Sequence, residues 1–209
     1  MLCYRLSVPR CYYFHVFIPI KRVFLSSVAE ALSEYRSEVA RAIDLLDDYK
    51  CVRMEDFGAR DAPSEEVCRT RIGECDVLVG VLGPWYGSLV PGTQKSYSEL
   101  EYDVAVQLGI PRLMFLSLGD MSIGAASAPT DEDRKRQTLF RDRVSRERQC
   151  AYFQKPFDLA IRVQQALYNF TRERFRLERP MHAREEDSIV RHARLERSLV
   201  EPHDRTRAT

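Results

Sequence analysis

The chain has 209 residues, 44% of them hydrophobic and 30% charged, an ordinary globular mixture that suits one α/β domain with an added helix or tail. Its formal net charge of +1 supplies no global field that would draw it to nucleic acid or to an anionic membrane surface, so neither is expected as a partner. The six cysteines form no C-x-x-C pair and no zinc spacing, so no metal is expected; Cys51, Cys68, Cys75 and Cys150 adjoin apolar segments and read as reduced core thiols, which points to the cytoplasm.

Residues 1–20 read as an N-terminal extension, either an extra strand or a poorly ordered lead. Arg5, Arg10, His15, Lys21 and Arg22 break the apolar run into pieces too short to span a bilayer, and no uninterrupted core with a small-residue cleavage site marks a secretory signal. Arg22–Leu25 is a short β-prone run ending at Ser26-Ser27. Ala29–Asp48 then has helical spacing, with Leu32, Tyr35, Val39, Ile43 and Leu46 on one side. Tyr49–Met54 is the next strand candidate, and Glu55-Asp56-Phe57-Gly58 turns away from it. Ser64 suits an N-cap, with Glu65 and Glu66 at the positive end of a helix running to about Cys75.

Asp76–Leu82 is a nearly continuous apolar run, as expected of a strand covered on both faces. A loop bearing Gly83, Trp85, Tyr86 and Gly87 follows. Ser96 and Glu99 form an S-x-x-E capping-box pair that opens a helix to about Leu108, closed by Gly109. Arg112–Leu118 is a strand, and Gly119–Pro129 a flexible loop. Thr130 with Asp133 marks another helix start, running through the charged segment Asp131–Arg148. Gln149–Phe153 is a short last strand. Pro156 sits where a first helical turn tolerates it, and Leu159, Val163, Ala166, Leu167 and Phe170 give that helix an apolar face. Residues 171–209 form a charged tail, helical or disordered.

Strand and helix alternate five times, which argues a parallel sheet covered on both faces with right-handed crossovers. The expected fold is a flavodoxin-like α/β three-layer sandwich of order 2-1-3-4-5. In that order ligands sit outside the carboxyl ends of the strands, at the switch point between the first and third. Ser26 and Ser27, Glu55, the Trp85-Tyr86-Gly87 loop, and a helix carrying Ser98 and Glu101 then meet at one crevice.

Glu99 has a sufficient structural role as the capping partner of Ser96. Glu101 does not: its helical neighbours are Tyr97, Ser98, Ala105 and Leu108, a mostly apolar side where a carboxylate is desolvated and needs a partner. That makes it either a functional carboxylate or one half of a buried salt bridge, with Arg36 or Arg112 as the cation. Trp85 and Tyr86 either stack on a base or pack against the adjacent helix. Ser26 and Ser27 either donate to phosphate or ribose or cap the following helix, the simpler use. The arginines of 134–146 are offset by acids and read as a solvated face.

The ordered set Val23-Phe24-Leu25-Ser26-Ser27, Tyr35-Arg36, Met54-Glu55, Cys75-Asp76-Val77, Tyr86-Gly87-Ser88 and Ser98-Glu99-Leu100-Glu101-Tyr102, continued by Leu116, the charged Asp131–Arg148 helix and Phe153, resembles the domain of unknown function 4062 family over about Lys21–Phe170. That family is similar to Toll/interleukin-receptor (TIR) domains and to nucleoside deoxyribosyltransferases. The resemblance implies a domain over residues 21–170 with a TIR-like, flavodoxin-like sheet, and a place in signalling or conflict biology, where such domains often precede NACHT-type or other STAND ATPases. In TIR-like NAD hydrolases a serine-x-x-glutamate helix motif carries the catalytic glutamate, and Ser98 and Glu101 have that spacing. Trp85 stands where the family often has arginine, and Val28 where it often has threonine.

Two functions follow as expectations. One is a signalling or interaction module that self-associates or recruits a protein partner. The other is an NAD or nucleoside N-glycosidase in which Glu101 stabilises the oxocarbenium-like transition state or attacks the anomeric carbon, Ser98 orients it, Trp85 or Tyr86 stacks on the leaving base, and Glu55 is a second carboxylate. NAD or another nucleotide is then substrate or ligand, and no cofactor is required.

Overall fold

The computed structural model describes residues 21–57, 64–119, 121 and 129–178. Short apolar runs bounded by turns form the strands: β1 (Lys21–Ser27), β2 (Tyr49–Val52), β3 (Val77–Leu82), β4 (Arg112–Ser117) and β5 (Ala151–Phe153). Between and after them lie the helices α1 (Ser33–Asp44), α2 (Ser64–Gly73), α3 (Tyr97–Gln107), α4 (Asp131–Glu147) and α5 (Pro156–Glu178). All neighbouring strands pair in parallel, in the order β2-β1-β3-β4-β5, so the expected flavodoxin-like sheet is present. Every residue of β3 is buried, as its unbroken apolar run requires at the centre of a two-sided sheet.

The register puts Phe24 beside Leu78 and Val52, and these share one face with Met114 and Leu116. Against that face pack Cys68 and Ile72 of α2, Tyr102, Val104 and Ala105 of α3, and Phe140 and Val144 of α4. Burying side chains of this size stabilises by about 1.5–3 kcal/mol each, which makes this layer a main source of the fold's stability.

The chain divides into two compact units, Met1–Gln164 and Gln165–Thr209, with the division inside α5. The first holds the whole sheet. In the second, residues 165–178 continue as helix. The expected N-terminal extension, most of the loop at 119–129 and the tail beyond residue 178 lie outside the described residues. No helix among the described residues is long and apolar enough to cross a membrane.

Several boundaries differ from the sequence expectation. The helix expected over Ala29–Asp48 forms only over Ser33–Asp44, because residues 28–32 turn away from the strand end, with the Leu32 amide bonded to the Val28 carbonyl at 3.2 Å. Its N-cap is Leu32, which offers no side-chain acceptor, so Ser26 and Ser27 do not cap it. The second strand stops at Val52 and Met54–Phe57 forms a 3-10 turn, while α2 ends at Gly73 rather than Cys75. Thr130 and Asp133 form the full capping box of α4. Ser96 caps α3, its hydroxyl accepting the Glu99 amide at 3.3 Å, and Gly109 closes that helix at φ +68°. Glu99 does not complete the box: its carboxylate instead accepts from the Tyr86 hydroxyl and faces Arg143 at 3.4 Å.

Candidate functional site

Because the strands are parallel, the chain segments leaving β1, β2 and β3 emerge at one edge of the sheet. They enclose a cleft of about 740 Å³. Ser27 and the turn after it form one wall, and Met54 and Glu55 a second. Trp85, Tyr86, Gly87 and Ser88 come from the loop after β3, Ser98 and Glu101 from α3, and Thr130 and Asp133 from the start of α4. Gly87, at φ +84°, brings its loop so close to Val28 that a Cβ there would lie 2.9 Å from the valine Cγ2. The crevice expected from the strand order therefore exists and gathers Ser27, Glu55, Trp85, Tyr86, Gly87, Ser98 and Glu101; Ser26 lies buried beneath it, against Glu101.

Glu101 is 6% exposed. Burial pushes its carboxyl up to about 7, opposed by a hydrogen bond from the Ser26 hydroxyl and by the Arg36 charge, and helped by the charge of Glu55. Among the described residues it forms no ion pair. The salt bridge considered from sequence is absent: Arg36 is engaged by Ser27 and Glu55, and Arg112, the first residue of β4, lies at the other end of the strands from the cleft. Arg112 stacks over the Tyr102 ring at 5.2 Å. Arg36, itself 6% exposed, donates Nη1 to the Ser27 carbonyl at 3.0 Å and to its hydroxyl at 2.8 Å, and Nη2 to both Glu55 oxygens at 2.5 and 2.7 Å.

That clamp separates the two carboxylates of the cleft. Burial opposes the charge on Glu55, but the Arg36 hydrogen bonds and charge outweigh it and hold Glu55 below its ordinary value. Glu55 is thus a fixed anion, while Glu101 exchanges a proton near neutral pH. A pair of carboxylates pushed apart in this way can divide acid and anion roles between them.

The loop aromatics are packed as well as cleft-lining. Tyr86 is 3% exposed, its hydroxyl donating to Glu99 with the Gln94 carbonyl 3.3 Å away, and burial with the Glu99 bond pushes it up to about 12. Trp85 is buried too, and its indole Nε1 has no hydrogen-bond partner among the described residues. No hydrogen bond joins Ser98 to Glu101 among the described residues; the hydroxyl that favours its charged form is that of Ser26.

Sequence reasoning missed two residues that brace this edge. Gln137 and Arg141 of α4 turn inward, against the expectation of a solvated helix face. Gln137 Nε2 donates to the Gly83 carbonyl at 2.6 Å; Arg141 reaches the carbonyls of Leu82 at 2.8 Å and Ser117 at 2.8 Å. The signal was present: positions 137, 140, 141 and 144 share a helix face with two apolar residues. Arg36 carries the same signal, lying on the buried stripe of α1 with Val39, Ala40 and Ile43. Among the described residues, no group of three or more histidine, cysteine or acidic side chains is placed to hold a metal ion.

No curated protein matches the chain in sequence. A solved structure of a conserved protein from Enterococcus faecalis V583 is similar over 70% of this chain and 99% of its own, at 13% identity and a TM-score of 0.43, too low a likeness to carry an argument. The family described as Domain of unknown function (DUF4062) matches residues 22–168, most of the chain and all of the sheet but Lys21, and the chain belongs to that family.

Proposed function

We propose that the cleft binds a nucleoside or nucleotide and cleaves its N-glycosidic bond. The observation that carries this reading is Glu101: a buried carboxyl on the wall of an open cleft, raised to about 7, with the nearby Arg36 engaged by Glu55 and Ser27. A fold stabilised only by packing would gain by placing an apolar residue or a paired charge there. The resemblance of the quoted motifs to TIR-like NAD hydrolases and nucleoside deoxyribosyltransferases points the same way.

In this reaction the C1′–N bond breaks and the base leaves with the electron pair. Ionised Glu101 accepts from the ribose hydroxyls and stabilises the positive charge that develops at the anomeric carbon. Water supplies the new oxygen at C1′, and its proton goes to the departing base or to solvent. Trp85 and the Tyr86-Gly87 turn offer a wall along which the base lies, and the Arg36 clamp keeps Glu55 anionic in the same cleft.

The test is release of free base from NAD and from nucleosides, at high protein concentration, by wild type and Glu101→Gln. Turnover by the wild type and a loss of at least about 100-fold in the variant is the expected result. Absence of base release from every substrate by folded wild type contradicts the reading.

A second reading, an interaction module of a STAND- or NACHT-type signalling or defence system, has its own observation. Phe157 and Ile161, one turn apart on α5, are 71% and 48% exposed, and Tyr152 on the edge strand β5 is 45% exposed. Self-association through the exposed α5 face of Phe157 and Ile161 predicts a mass that rises with concentration and falls back to the monomer in Phe157→Glu. A monomer at all concentrations counts against it.

A further inference from the structure

The charges facing the cleft are unbalanced. Among the described lining residues Glu30, Glu55, Glu101 and Asp133 are acids, and Arg36 is the one cation. Arg36 is buried, its four terminal N–H donors go to Ser27 and to both oxygens of Glu55, and the Glu55 carboxylate neutralises its charge, so it is a poor partner for a phosphate. The α4 start, where a helix dipole would favour an anion, is already met by acids of its own chain: Asp131 and Glu132 lie in the first turn, and the Asp133 carboxylate accepts from the Thr130 hydroxyl at 2.7 Å. The Ser96 hydroxyl likewise occupies the Glu99 amide at the start of α3.

We propose that this cleft selects phosphate-free nucleosides, cationic ones above neutral ones, and discriminates against phosphorylated nucleotides and dinucleotides. The inference rests on the N-glycosidase reading for its chemistry, and narrows the substrate from nucleosides and nucleotides together to nucleosides alone. A 5′-phosphate would enter a cavity walled by carboxylates with no uncommitted described cation to meet it. A like charge at that range, in a partly solvated site, costs about tenfold in affinity. A nucleoside whose base carries a positive charge gains from the same carboxylates. It also leaves as a neutral base when it takes the electron pair of the breaking C1′–N bond, so no proton has to be delivered to the leaving group; the attacking water's proton passes to solvent.

The chain holds one tryptophan, Trp85, and it lines the cleft, so its fluorescence reports occupancy there. The experiment titrates the full chain with nicotinamide riboside (a cationic nucleoside), inosine, the 5′-monophosphate of each, and NAD. Affinity is read by calorimetry and by Trp85 fluorescence, with base release assayed in parallel. The expected order of affinity is nicotinamide riboside, then inosine, with each monophosphate and NAD at least about tenfold weaker than the matching nucleoside. Glu30→Lys, on the exposed rim, tightens monophosphate binding about threefold or more and so narrows the gap.

A monophosphate or NAD that binds as tightly as the nucleoside overturns the proposal, as does the absence of nucleoside binding. The two readings fail separately. Nucleosides that saturate Trp85 without releasing base leave the selectivity standing and remove the glycosidase. NAD cleaved in preference to nucleosides leaves the glycosidase standing and removes the selectivity.

Discussion

Two places on one edge of the sheet bury polar groups, and they treat them differently. At the ends of β3 and β4, Gln137 and Arg141 donate to the carbonyls of Gly83, Leu82 and Ser117, so donors and acceptors meet inside the protein. At the ends of β1 and β2, Arg36 is equally well satisfied by Ser27 and Glu55, yet Glu101 beside it keeps only a serine hydroxyl. A saturated network needs nothing from outside and stiffens the edge. An unsaturated buried carboxyl in an open cleft costs stability that a ligand can repay.

If the first place is structural, breaking it should cost the most. Arg141→Ala removes charged hydrogen bonds to buried carbonyls and is expected to destabilise by about 4 kcal/mol, read as a shift of the denaturation midpoint at constant slope. A loss below about 1 kcal/mol would erase the distinction between the two places.

If the second is functional, relieving it should stabilise. The folded carboxyl of Glu101 titrates at about 7, above its unfolded range, so the native state holds a proton that the unfolded chain has already released. That stabilising contribution is complete below about pH 4, falls as pH rises, and is lost once pH passes 7. Glu101→Gln removes the dependence. Relative to wild type it should gain about 3 kcal/mol in stability between pH 4 and 8, measured by denaturation across that range, while base release is lost. Parallel stability–pH curves for the two proteins would contradict this.

Arg36→Met joins the two comparisons. It breaks the clamp on a half-exposed Glu55 and should cost about 2 kcal/mol. It also removes a charge that pulls Glu101 down, so the Glu101 midpoint should rise above its wild-type value. The smallest effect is expected where the cleft meets a helix cap: Thr130→Ala should cost about 1 kcal/mol and leave the Glu101 midpoint unmoved.

Local signals in the sequence sufficed for the strands and for α3. An apolar run of sheet length made β3 recognisable, and Ser96 and Gly109 bracketed the helix that carries Glu101. The strand order then followed from alternation and handedness, and with it the meeting of Ser26, Glu55, Trp85 and Glu101. What escaped was set by contacts distant in sequence. Val28–Leu32 keeps a helical spacing of apolar residues while the chain is still turning over the strand end. Glu99 has a local partner in Ser96, but its carboxylate is drawn to Tyr86 and Arg143. Helical spacing sets Arg141 on the same face as Phe140 and Val144, but the balance of acids and arginines along the segment masked that stripe.

The central claim is that Glu101 is a buried carboxyl without a neutralising cation, and its own titration tests that most directly. Carboxyl-carbon NMR of the full chain, with the Glu101 resonance assigned by its absence in Glu101→Gln, should give a midpoint near 7. A midpoint in the ordinary glutamate range, about 4.3, would mean that the carboxylate is solvated or paired, and would contradict the account.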